Sequence, residues 1–98
     1  MTFYTGLDCL DGEGLRADMV LRIEGGLITE LRPRRAEDEG KDLSQDGSRA
    51  LVCPGLIDLQ VNGGGGVMFN DAPTRETLRT IGAAHRRFGT TGFLPTLI

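Results

Sequence analysis

The chain has 98 residues, enough for one small domain, and an ordinary composition of 39% apolar and 26% charged residues. Its net charge of −3 provides no basic surface for nucleic acid or anionic lipid, and no apolar run approaches the roughly 20 residues of a membrane span. The first residues lack the basic and apolar segments of a secretory signal. We therefore expect a cytoplasmic chain with neither a nucleic-acid nor a membrane partner.

Residues 1–32 predict β-structure. The runs MVLRIE (Met19–Glu24) and LITELR (Leu27–Arg32) alternate apolar and polar residues, and Gly25-Gly26 separates them. A two-residue Gly-Gly loop between alternating runs predicts a hairpin, because a type I′ turn needs positive φ at both central residues. A further short strand is expected before it, with a turn at Asp11-Gly12.

Residues 33–50 predict a charged loop. Pro33 is expected to end the preceding strand, and a run of mixed charge follows it. Arg34 and Arg35 could form an anion site. The alternative is a solvated loop whose charges pair locally.

Residues 50–98 predict a strand, a helix and a second strand. The first strand covers Ala50–Val61 with a break at Pro54-Gly55, the helix covers residues 74–88, and the second strand covers Thr90–Ile98. This order is a βαβ unit, so the two strands should be parallel with a right-handed crossover. Because parallel strands rarely occur as a lone pair, we expect a larger sheet to continue beyond this chain.

The helix has a clear apolar face. Asp71 or Thr74 can cap its start, and Gly89 suits the left-handed position after its end. The residues expected on the packed face are Thr74, Thr77, Leu78, Ile81, Ala84, His85 and Phe88.

Three polar side chains alternate along the first strand of this unit. Asp58, Gln60 and Asn62 should point to one side, and Ile57, Leu59 and Val61 to the other, where helices would cover them in a closed parallel barrel. In a closed parallel barrel the polar set would face the interior near the carboxyl ends of the strands, where such enzymes place their chemistry. The alternative is that Asp58 and Asn62 only satisfy turn and backbone groups. The glycines that follow would allow close approach of a ligand or a neighbouring strand.

Other motifs are weak. The four glycines from Gly63 to Gly66 match neither a dinucleotide fingerprint nor a phosphate loop. His85, the single histidine, could be catalytic, although a packed histidine near the end of a helix is the simpler interpretation. Cys9 and Cys53 form no metal pattern, and we expect free thiols rather than a disulfide. Cys53 could also be a reactive thiol.

The runs CPGLIDLQVNGGGGVMFND and FGTTGFLPTLI together resemble the N-acetylglucosamine-6-phosphate deacetylases of the amidohydrolase superfamily. The resemblance implies an α/β fold, with residues 1–53 as part of a composite β-sandwich and residues 54–98 as the first β-α-β unit of an incomplete (β/α)8 barrel. The chain would then be an N-terminal fragment. The resemblance implies that the intact protein is a homodimer that acts on N-acetylglucosamine 6-phosphate and releases glucosamine 6-phosphate and acetate.

Gln60 and Asn62 occupy the positions where most members of the superfamily carry a metal-binding HxH pair. Neutral amides are poor ligands for zinc. The resemblance therefore implies one divalent metal, zinc or iron, held by residues outside this chain, with Gln60 and Asn62 near metal-bound water. Asp58, Gly63 and Gly64 would support the site. No catalytic residue is expected within the fragment, which should be inactive and free of metal. The sequence also leaves open another amidohydrolase acting on a cyclic amide, and a non-enzymatic sugar-phosphate-binding β module.

Overall fold

The computed structural model describes all residues, Met1–Ile98, and they form two compact units, Met1–Pro54 and Gly55–Ile98. The first unit contains five strands: β1 (Thr2–Asp11), β2 (Gly14–Glu24), β3 (Leu27–Pro33), β4 (Lys41–Asp42) and β5 (Ala50–Val52). The second contains β6 (Leu56–Val61), β7 (Gly63–Gly64), β8 (Val67–Met68), α1 (Arg75–Arg86) and β9 (Thr90–Pro95).

The first unit is one mixed sheet. Strands β1, β2 and β3 form an antiparallel meander, and the other edge of β1 pairs in parallel with β4 and β5. The predicted hairpin between β2 and β3 is confirmed, because Glu24 pairs with Leu27 and φ is +57° at Gly25 and +79° at Gly26. The core of the sheet consists of Leu7, Cys9, Met19 and Leu21.

The stretch 33–50 is more structured than predicted. Pro33 ends β3 as expected, but Lys41 and Asp42 then form β4 beside Tyr4 and Thr5. Two charged residues carry no sequence signal for a strand, and only the free edge of β1 makes this pairing available. Ala50–Val52 also pairs with β1, so the predicted strand Ala50–Val61 is two strands that belong to different units.

Two charged residues of this loop, Asp38 and Arg49, form ion pairs, with Arg32 and Asp8 respectively. Both guanidinium NH groups of Arg32 donate to the Asp38 carboxylate, at 2.7 and 2.8 Å, and the backbone N–H of Arg35 donates to it as well. Arg32 and this backbone donor hold the pKa of Asp38 well below its usual value. Neither Arg34 nor Arg35 forms an ion pair, so the structure does not decide between a solvated loop and an anion site at these two residues.

The second unit contains the predicted strand, helix and strand, and β6 and β9 pair in parallel. Thr74 is the N-cap, and its side chain accepts the backbone N–H of Thr77. The helix ends two residues before the predicted position, so Phe88 lies beyond it and is 81% exposed. The prediction that Phe88 packs was therefore wrong, because the chain turns after Arg87 towards Gly89, whose φ of +96° is the expected left-handed one. Twelve-residue α1 is neither long nor apolar enough to cross a membrane.

Candidate functional site

The polar residues of β6 do not form one regular face. Asp58 pairs with Phe93 and Val61 pairs with Pro95, so three residue steps on β6 match two steps on β9. Such a bulge interrupts the alternation of side chains. Asp58 and Asn62 are half-buried, whereas Gln60 is exposed. The structure brings these residues to one strand end without aligning all three.

The apolar set expected under the helix is also divided. Val61 is buried, but Ile57 is 69% exposed and Leu59 is 74% exposed. Packing of all three under helices is predicted for a closed barrel, and in these 98 residues only Val61 is buried. The one helix of this unit is twelve residues long and leaves the side chains of Ile57 and Leu59 uncovered.

Asp58 supports the bulge itself. Its Oδ1 accepts the backbone N–H of Gln60 at 3.1 Å. A carboxylate that binds the backbone two residues later is typical of a locally braced bend. For Asp58 the structure thus favours the role of satisfying backbone groups over a role in the barrel interior.

Asn62 is placed differently. Its backbone carbonyl accepts the N–H of Phe69 at 2.8 Å, whereas its side-chain Oδ1 is buried and has no hydrogen-bond partner within the chain. A buried acceptor without a donor is costly, and native structures usually supply one from water or a ligand. Asn62 is therefore the predicted site residue whose geometry calls for an additional polar group.

The four glycines lie in a small hairpin. Gly63-Gly64 pairs with Val67-Met68, and Gly65-Gly66 makes the two-residue turn with φ of +64° and +83°. A Cβ on Gly63 would lie 2.6 Å from the Val67 carbonyl oxygen, and one on Gly64 would lie 2.8 Å from Nε2 of His85. We call residues 63–68 the glycine hairpin. The Gly-Gly turn signal that identified the β2–β3 hairpin could also have identified this one.

His85 contacts this hairpin directly. Its Nε2 lies 2.9 Å from the carbonyl oxygen of Gly63, and the ring is half-buried. The sequence left open a packed or a catalytic histidine and did not predict a hydrogen bond to the residue after Asn62. Predicting this hydrogen bond would have required knowing that residues 63–68 form a hairpin.

Two further contacts join the strand ends. The N–H of Thr96 donates to the carbonyl of Val61 at 2.9 Å, and the Asn70 side chain binds both backbone polar groups of Ile98. A groove of about 610 Å³ between α1 and β9 lies elsewhere, and none of the predicted site residues lines it. The carboxyl ends of β6 and β9, with the glycine hairpin, are therefore the candidate site.

The donor set of this site does not fit a divalent metal without further ligands. Among residues 1–98, no three histidine, cysteine, aspartate or glutamate side chains lie close enough to hold an ion. Gln60 and Asn62 offer neutral amide oxygens, which zinc and iron bind poorly.

Known proteins resemble this chain over nearly its whole length, although no family model matches it. It is 39% identical to the N-acetylglucosamine-6-phosphate deacetylase of Haemophilus influenzae over 97% of this chain and 23% of that protein. The human N-acetylglucosamine-6-phosphate deacetylase is 39% identical over 89% of this chain and 22% of its own length. An N-acetylgalactosamine-6-phosphate deacetylase of Shewanella is 68% identical over 51 residues, which are 52% of this chain and 13% of that protein.

A solved structure agrees with these relatives. The N-acetylglucosamine-6-phosphate deacetylase from Pasteurella multocida superposes with a TM-score of 0.73 at 26% identity, over 98% of this chain and 25% of that one. The chain thus spans less than a quarter of the length of the curated relatives it matches. Over nearly its whole length, the chain is thus similar to part of these N-acetylglucosamine-6-phosphate deacetylases.

Proposed function

We propose that the full-length protein containing this chain hydrolyses the acetamido group of N-acetylglucosamine 6-phosphate, yielding glucosamine 6-phosphate and acetate. The observation that carries the proposal is the 39% identity to a deacetylase of that substrate over 97% of this chain. The strand-end geometry supports it, since a buried amide acceptor without a partner is suited to a polar substrate group or an ordered water.

Within this proposal the chain supplies a supporting part of the site. Asn62 offers its unpartnered Oδ1 to a donor on the substrate or on water, and Gln60 is the second amide at the same strand end. Asp58 braces the bulge of β6 by accepting the Gln60 N–H, while Gly63 and Gly64 keep the following hairpin close to α1. These residues orient other groups, and none of them is assigned a proton-transfer step.

We propose that the full-length protein binds a zinc or iron ion, and we assign no metal ion to this chain alone. The amides of this chain do not form its site, so its ligands would come from other residues. A homodimer and a cytoplasmic location complete the proposal. Free Cys9 and Cys53 support the cytoplasmic location, because thiols stay reduced in that compartment.

N-acetylgalactosamine 6-phosphate is a second candidate substrate. The 68% identity to a deacetylase of this epimer favours it over 51 residues, whereas the relatives aligned over 89–97% of the chain act, by name, on the glucosamine epimer. The two sugars differ only in the configuration at C4. The choice between them therefore depends on contacts to that hydroxyl group.

The test is a kinetic comparison of the full-length protein on both epimers, with release of acetate as the measurement. We expect hydrolysis of N-acetylglucosamine 6-phosphate with the larger kcat/KM. A larger kcat/KM for the galactosamine epimer would reassign the substrate. Turnover of a cyclic amide alone would contradict the proposal and indicate a different amidohydrolase. Sugar-phosphate binding without acetate release would contradict it too and indicate a non-enzymatic binding module.

A second arm tests the strand end. Asn62→Ala should lower kcat/KM about tenfold, the usual effect of losing one hydrogen bond in a site. Gln45→Ala, an exposed change in the other unit, is the control and should leave it unchanged. Equal activity of wild type and Asn62→Ala would remove Asn62 from the site.

A further inference from the structure

We propose that His85 is a positioning residue that holds the glycine hairpin on α1 and, through it, sets the position of the Asn62 carboxamide. The first half of this inference concerns the structure alone. The second half, a kinetic effect, rests on the proposed deacetylase function. His85 acts through the backbone and is not assigned a contact with substrate.

The contact between the helix and the hairpin is close. His85 Nε2 lies 2.9 Å from the carbonyl oxygen of Gly63. Gly64 has no room for a side chain, since its Cβ would lie 2.8 Å from the same nitrogen, and a Cβ on Gly65 would lie 3.1 Å from Cγ2 of Thr80. The hairpin therefore rests on α1 through backbone atoms, and the imidazole is the side chain that binds it.

The hydrogen bond also defines the protonation of the imidazole. A carbonyl oxygen can only accept, so Nε2 must carry a hydrogen, either in the neutral Nε2–H tautomer or in the imidazolium. A side chain that keeps an N–H at this position should preserve the contact. A side chain of similar bulk without one should lose it and leave the half-buried carbonyl of Gly63 without its donor.

Asn62 directly precedes Gly63, whose carbonyl binds His85. Its carbonyl is held by the N–H of Phe69, at the base of the hairpin, and the next carbonyl along the chain is held by His85. The two peptide groups on the C-terminal side of the Asn62 Cα are thus both fixed. Because the side chain itself has no partner for Oδ1, the backbone is what orients it. Release of the Gly63 carbonyl should let the carboxamide move.

The experiment uses the full-length protein and three variants. His85→Leu keeps bulk and removes the donor, His85→Gln restores an N–H at about the same reach, and Arg86→Ala is the control on the exposed side of the same helical turn. Hydrogen exchange of the Phe69 amide reports on the hairpin. Values of kcat and KM for the preferred sugar phosphate report on Asn62.

We expect His85→Leu to speed exchange of the Phe69 amide about tenfold and to lower kcat about tenfold, with KM changed less than about twofold. A tenfold effect is typical of one hydrogen bond. His85→Gln should stay within about threefold of wild type in both measurements, and Arg86→Ala should match wild type. If His85 only stabilised α1 in general, His85→Leu and His85→Gln should change the exchange rate and kcat to the same extent.

Three results would overturn the inference: unchanged exchange in His85→Leu, faster exchange with unchanged kcat, or an equal effect of Arg86→Ala. If His85→Leu does not fold, Gly64→Ala serves in its place, because the added methyl group would crowd the imidazole of His85 from the hairpin side. Gly12→Ala is its control, since no atom lies within 4 Å of its Cβ. Equal Phe69 exchange rates and equal kcat values in Gly64→Ala and Gly12→Ala would also overturn the inference. Should wild type hydrolyse neither epimer, the proposed function fails, while exchange still decides whether His85 holds the hairpin.

Discussion

Asn70 binds Ile98 as if it were a strand neighbour. Its Nδ2 donates to the Ile98 carbonyl at 2.7 Å, and its Oδ1 accepts the Ile98 N–H at 3.0 Å. One carboxamide thus satisfies both backbone groups of a residue 28 positions later. This contact ties the segment after the glycine hairpin to the segment after β9, at the end of the sheet where Asn62 lies.

Asn70→Ala should therefore loosen this end of the second unit. Two hydrogen bonds to an exposed segment are worth on the order of 1–2 kcal/mol together. We expect a lower unfolding midpoint in denaturant and faster exchange of the Ile98 amide, whereas Asp71→Asn, an exposed neighbour, should change neither. Asn70→Asp should be no better than alanine, because its carboxylate would face the Ile98 carbonyl. An unfolding midpoint in Asn70→Ala equal to that of wild type would show that the two hydrogen bonds between Asn70 and Ile98 do not contribute to stability.

Gly65→Ala should destabilise the glycine hairpin. The position has φ of +64°, and a Cβ would lie 3.1 Å from Thr80 Cγ2, so strain and crowding add. A cost of about 1–2 kcal/mol is expected for a left-handed alanine. Chemical denaturation measures it, with Gly12→Ala, where φ is not positive and no atom is near, as the matched control. The prediction is wrong if the two alanine variants are equally stable.

The Arg32–Asp38 pair predicts a pH dependence of stability. Arg32 holds the pKa of Asp38 below its usual value, and the Asp38 side chain is only 8% exposed. A carboxyl group with a lowered folded-state pKa stabilises the fold above its unfolded pKa of about 4, and this stabilisation is lost as the pH falls below that value.

Asp38→Asn should accordingly lower the thermal unfolding midpoint at pH 7, and the difference from wild type should shrink as the pH is lowered from about 4 towards about 2. Glu37→Gln, an exposed change one residue away, should follow wild type throughout. Unfolding midpoints measured across this range decide the point. A difference that is constant with pH would assign the effect of Asp38 to something other than its charge.

The isolated 98-residue chain should have no deacetylase activity. Its residues assemble no metal site and supply only amides at the strand end. Acetate release from N-acetylglucosamine 6-phosphate, measured with added zinc and then iron, should equal the rate in buffer. The full-length protein in the same assay is the positive control. Turnover by the isolated chain well above buffer would refute the prediction.

The isolated chain should also self-associate. The second unit exposes several large apolar side chains that nothing in the chain covers: Leu56, Ile57, Leu59, Leu94, Leu97 and Ile98. Contiguous exposed apolar surface and open strand edges favour association. Sedimentation velocity should show species larger than a monomer at micromolar concentration, and Leu59→Lys should reduce them. A single monomeric boundary for the unmodified chain would contradict this expectation.

Local patterns were sufficient wherever neighbouring residues decide the structure. The Gly25-Gly26 turn, the Thr74 cap, the left-handed Gly89 and the parallel pairing of β6 with β9 were all predicted from sequence. Each depends on residues a few positions apart, or on the rule that a helix between two strands makes them parallel. The family resemblance rested on motif spacing in the same way, and the relatives support it.

Local sequence patterns could not predict contacts between residues that are far apart in the chain. The strand Lys41–Asp42 is defined by its pairing with β1, and the bulge at Asp58–Val61 by the pairing of β6 with β9. The His85–Gly63 bond joins residues 22 positions apart. The sequence by itself determined which amides stand near the strand end, because side-chain identity and strand order are local properties. Only the tertiary structure decided that Asn62 keeps a buried acceptor without a partner while Asp58 binds the backbone, because burial and pairing depend on what the folded chain brings alongside.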